Sequence, residues 1–165
     1  PAGQWEGHEN YVFLSLGSAD FPGTFQYEVK STEESVSEVI PMPANTPEAY
    51  LQLARIGNNF IVLAKVPNQS WRILRRYYRD PQFMPAELQV GMTSYTDWDT
   101  CAMLEPAVHD ATTITWGNPD LIAQFHYMRF ERPVVPAMLQ GVDLTNPITY
   151  PDEVLLEFLG DRATW

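Results

Sequence analysis

Apolar and polar residues alternate through much of the stretch between Tyr11 and Phe130, with the two-residue period of half-buried strands. The pattern is densest between Tyr50 and Thr93, where turns separate four runs. Tyr50–Ile56 meets Asn58–Val66 across Gly57-Asn58, a pair that tolerates the positive φ of a tight hairpin. Pro67-Asn68-Gln69 leads into Ser70–Tyr78, and the loop Asp80–Pro85 leads into Ala86–Thr93. In the second run Phe60, Val62, Ala64 and Val66 oppose Ile61, Leu63 and Lys65. Apolar on both faces, it predicts a central strand.

Upstream, Tyr11–Gly17 reads as a covered strand, and Thr24–Ser31 sets Phe25, Tyr27 and Val29 against Gln26, Glu28 and Lys30. Glu33-Glu34 falls in a turn and Val36–Ile40 is a short strand. Pro41–Pro47 is expected to be a loop, because its prolines remove ladder donors. Downstream, Leu121–Phe130 is the last strand-like run, with His126 inside it. The period then changes. Asp152–Leu159 places Val154, Leu155, Phe158 and Leu159 on one helical face, with Pro151 ahead and Gly160 behind as start and stop signals. This short amphipathic helix either packs on the domain or docks a partner. The expected division is a β domain over residues 1–131 and a Pro-rich extension over 132–165.

Composition narrows the function classes. The 165 residues include 10 basic and 21 acidic side chains, a formal charge of -11 that repels phosphate backbones and argues against nucleic acid as a partner. Arg75-Arg76-Tyr77-Tyr78-Arg79 is the one basic, aromatic run, and strand alternation splits it over two faces, where local acids would pair with it. No run reaches the roughly 20 apolar residues that span a bilayer. Cys101 is the only cysteine, so no intrachain disulfide forms, and it reads as a small buried residue. The chain starts Pro1-Ala2-Gly3, as a processed product or part of a longer chain would.

The stretch Tyr50-Leu51-Gln52-Leu53-Ala54-Arg55-Ile56-Gly57-Asn58-Asn59-Phe60, the Trp71 strand and Pro85-Ala86-Glu87-Leu88-Gln89-Val90-Gly91 resemble the concanavalin A-like lectin/glucanase superfamily. More narrowly, they are similar to laminin-G-like and DUF1349-type modules of secreted bacterial proteins. The resemblance covers about residues 10–130. It implies an all-β, antiparallel two-sheet jelly-roll sandwich, here followed by the short C-terminal helix, in an extracytoplasmic setting. Such modules carry further strands upstream of Tyr11, and these would come from other sequence, from another chain, or be missing from a shortened sandwich.

The related glucanases place two carboxylates about 5 Å apart on one strand. Here Glu28 is isolated, Glu33-Glu34 sits in a turn, and Glu153 and Glu157 lie on the tail helix, so a catalytic pair is not expected. His8, His109 and His126 lack metal-ligand spacing, and no nucleophile elbow or phosphate loop is present. The best glycan-binding candidate is Tyr95, Asp97, Trp98 and Asp99, an aromatic face beside acceptors for hydroxyls. Trp116, Asn118 and Asp120 form a second patch. No cofactor is expected, although Asp97, Asp99 and Asp110 supply oxygens that Ca²⁺ could use. Val154, Leu155, Phe158 and Leu159 are the candidate partner-docking residues. The resulting expectation is a non-catalytic binding or structural module contacting glycan or other chains of an assembly. A fragment of a carbohydrate-active enzyme, its catalytic residues elsewhere, is the alternative.

Overall fold

The computed structural model describes all residues except 1–7, 20, 97, 102, 106, 107, 109, 110, 114, 119, 120 and 161–165, and gives only the backbone of Trp98 and Cys101. The fold is mostly β, with two antiparallel three-stranded sheets and a C-terminal helix. The first sheet has the order β1 (Tyr11–Ser18), β2 (Phe25–Glu33), β3 (Val36–Ala44); the second, β4 (Tyr50–Ile56), β5 (Asn59–Lys65), β6 (Arg72–Tyr78). A one-turn helix α1 (Trp98–Cys101), a 3-10 turn (Ala137–Leu139) and α2 (Asp152–Leu159) follow. Two compact units result. One contains His8–Ala86 and the chain from Val134 onward; the other contains Glu87–Pro133.

In the first unit β5 is the axis. Phe60 and Val62 pack with Val29 of β2, Tyr77 of β6 and Met84, while Ala64 packs with Tyr27 and Ala44. Ile61 and Leu63 point the other way, into a cluster with Ile56, Leu139, Leu144, Leu155, Phe158 and Leu159. One face of the second sheet therefore meets the first sheet, and its other face carries α2 and the returning segment. The central strand expected from its two apolar faces is found, and each large side chain so buried contributes about 1.5–3 kcal/mol. The β4–β5 turn is tight because Gly57 takes φ +60°.

Three sequence expectations need correction. β3 continues through Pro41 and Pro43 instead of stopping at Pro41. It is an edge strand paired only with β2, and both prolines share one parity, so their missing N–H groups fall on its unpaired side. Ala86–Thr93 and Leu121–Phe130 alternate as strands do, yet neither is a strand. Alternation describes a surface that suits a sheet, but a strand also needs an adjacent edge to complete its ladder. Leu88, Val90 and Met92 are exposed accordingly, as are Ile122, Phe125 and Phe130.

The tail helix spans the expected residues. Pro151 precedes it with φ -55°, and a Cβ on Gly160 would lie 2.5 Å from the Leu156 carbonyl oxygen, so glycine ends it. Leu155, Phe158 and Leu159 are buried on the second sheet and Val154 is half-buried, which makes them core residues of this chain. Polar side chains fix the returning segment to the same face. The Asn59 amide donates to the carbonyls of Ile56 (3.1 Å) and Val142 (2.8 Å), and its oxygen accepts from the Leu144 N–H (2.8 Å). Arg76 donates to the carbonyls of Leu144 (2.9 Å) and Tyr150 (2.6 Å) and pairs with Asp152. Gln52 donates to the Leu159 carbonyl at 3.2 Å.

Candidate functional site

The arginines of the second sheet show where its chemistry is already engaged. Arg55 donates to the carbonyls of Gly57, Met84 and Pro85. Arg75 pairs with Glu38 at 3.3 Å, and buried Arg79 reaches Glu33 (3.2 Å), the Ser31 hydroxyl (3.0 Å) and the Thr32 carbonyl (2.7 Å). These ion pairs tie β6 and the residue after it to β2 and β3, which is the local pairing expected of the basic run. They also engage Glu33 and Glu38, while Glu34 accepts from His8 at 2.8 Å and from the Asn10 amide at 2.7 Å. These bonds, Asn10's first, hold the Glu34 carboxyl below its ordinary pKa.

Arg72 is different. It is exposed and, among the described residues, makes no hydrogen bond or ion pair; its guanidinium lies 5.1 Å from the centre of the Tyr27 ring. Tyr27 is fully buried, and among the described residues its Oη, like the Tyr77 Oη and the Arg79 Nε, has no hydrogen-bond partner. A buried hydroxyl without a partner costs about 1–3 kcal/mol.

Both residues line a hollow of about 210 Å³ at one end of the two sheets. Its cause is visible in the sequence. Ala44 and Ala64 flank Tyr27, and two methyl groups stand where larger side chains would close the space. The end of β3 adds Pro43, Asn45 and Thr46 to the wall, and the β5–β6 turn adds Val66, Gln69 and Ser70. That turn is held by Gln69 N–H donating to the Val66 carbonyl at 3.0 Å, with Asn68 at φ +64°. The lining thus offers a cation, a hydroxyl, two amides and further hydroxyls over an apolar floor, and no carboxylate. Such a set can donate and accept hydrogen bonds beside a cation.

The patches singled out from sequence belong to the other unit. Tyr95 is 56% exposed and Asp99 is exposed in the first turn of α1; Asp97 and the Trp98 side chain lie outside the described residues. Trp116 is 53% exposed and Asn118 is exposed, with Asp120 outside the described residues. Of the calcium candidates only Asp99 is described, and among the described residues no three His, Cys, Asp or Glu side chains converge. Sequence reasoning missed the Tyr27–Arg72 hollow because its parts are 45 positions apart; paired alanines at facing strand ends were the available signal. Comparison of the chain with protein families, curated proteins and solved structures finds no match.

Proposed function

We propose that this chain is a non-catalytic, extracytoplasmic binding module on a jelly-roll plan of the concanavalin A and laminin-G kind, and that it recognises a small glycan unit through the Tyr27–Arg72 hollow. The observation that carries the reading is the Arg72 guanidinium, exposed at that hollow and, among the described residues, held by no hydrogen bond or ion pair, beside a wall of amides and hydroxyls. Arg55, Arg75, Arg76 and Arg79 are instead bonded within the fold. The hollow is smaller than the roughly 300–1,000 Å³ of drug-sized pockets, which suits a single sugar residue at the end of a chain. Backbone amide NMR with a panel of mono- and disaccharides tests it. Saturable shifts at Tyr27, Asn45, Thr46, Gln69, Ser70 and Arg72 are expected. A folded protein showing none with any saccharide would contradict the reading.

A second reading has its own observation. Glu87–Pro133 exposes large apolar side chains, including Ile122 at 86% and Phe130 at 65%, as a segment covered by another chain of an assembly would. Hydrogen exchange compared between this chain and its parent assembly tests that reading, with protection of Glu87–Pro133 expected only in the assembly.

A further inference from the structure

We infer that the hollow is selective for an acidic sugar, a uronate whose carboxylate pairs with Arg72 and whose hydroxyls meet the polar rim. The inference rests on the glycan-binding reading and narrows its ligand class. Three observations carry it.

The first is charge. In a chain of net charge -11, the hollow is lined by one arginine and by no acid, so an entering carboxylate meets a cation with no competing anion in the wall. The second is geometry. Stacking against the Tyr27 ring restrains the Arg72 guanidinium, and a planar fork matches a carboxylate through two parallel N–H bonds. Less side-chain entropy is then lost on binding than for a mobile lysine. The third is the mixed lining. A bare anion site needs only donors, whereas the Asn45 and Gln69 amides and the Thr46 and Ser70 hydroxyls both donate and accept. Sugar hydroxyls need that mixture, and the apolar floor of Ala44, Ala64 and Val66 suits the C–H surface of the ring.

The test is an amide-detected NMR titration of the whole chain with four probes: galacturonate, galactose, acetate and inorganic sulfate. Galacturonate is expected to shift the hollow residues and to bind roughly tenfold more tightly than galactose or acetate, since each lacks half of the recognised chemistry. Binding should weaken as salt rises. Arg72→Ala should lower galacturonate affinity roughly tenfold and leave the weak galactose response in place, and Arg72→Lys should fall between. Because Arg72 is exposed, the variant is expected to fold, and its amide spectrum away from the hollow checks this. Galactose binding as tightly as galacturonate would overturn the acidic-sugar inference and leave the glycan reading standing. Sulfate or acetate matching galacturonate would also overturn it, by showing a plain anion site. No saccharide response at the hollow would remove both the inference and the reading beneath it.

Discussion

Arg72 and Arg76 lie four residues apart on β6, the bulge opposite Val62 and Leu63 sets them on opposite faces of the sheet, and they are used in opposite ways. Arg76 keeps a side chain only 6% exposed and gives its N–H groups to Leu144, Tyr150 and Asp152. Arg72 is exposed and rests on a buried tyrosine whose own hydroxyl is unpartnered. On the helix-covered face, polar side chains close the backbone bonds of a segment that has no ladder. At the hollow, the comparable Arg72 guanidinium is exposed and makes no such bond among the described residues. The difference separates residues that hold the fold from residues that are available to a ligand, although their chemistry is the same.

Breaking the engaged side should have the largest effect. Arg76→Ala leaves two carbonyls and the Asp152 carboxylate without their donor and is expected to cost about 3 kcal/mol in urea unfolding. Asn59→Ala strips partners from Ile56, Val142 and Leu144, and about 2 kcal/mol should be lost by the same measurement. Tyr27→Phe goes the other way. It removes a buried hydroxyl that has no partner among the described residues, and unfolding should show a gain of about 1 kcal/mol. A loss of stability as large as that of Asn59→Ala would mean that the hydroxyl is structural after all.

The smallest effects concern pH. The Thr145 hydroxyl and N–H hold the Asp143 carboxyl below its ordinary pKa. A depressed native pKa stabilises the fold above the unfolded value of about 4, and that contribution fades as pH falls through the native one. Burial, and then the Glu38 charge, raise the Tyr77 hydroxyl above its ordinary pKa. Its contribution is present below the unfolded value of about 10 and is lost as pH rises through the native one. Denaturation midpoints should therefore decline at both extremes, with Asp143→Asn reducing the acid decline and Tyr77→Phe reducing the alkaline one.

The sequence made the six-strand plan legible where local rules and tertiary pairing agree. The two apolar faces of Phe60–Lys65, the Gly57 hairpin and the Pro151-to-Gly160 helix were all readable, because period and turn chemistry act over a few residues. β3 was read short because proline rules depend on whether a strand lies at an edge, which only the assembled sheet reveals. Ala86–Thr93 and Leu121–Phe130 carry the pattern of strands without being strands, because alternation does not tell whether a neighbouring edge is present. The hollow was not legible. Tyr27, Ala44, Ala64 and Arg72 come together only when two hairpin systems face each other, and no spacing rule links them.

The central claim is that Arg72 serves a ligand and Arg76 serves the fold. One pairing of measurements tests it most directly: unfolding free energy and galacturonate affinity, both taken on Arg72→Ala and on the parent chain. The account predicts a stability change within about 1 kcal/mol, the size of an exposed cation–π contact, alongside a roughly tenfold loss of affinity. A stability loss approaching that of Arg76→Ala, with affinity unchanged, would contradict it.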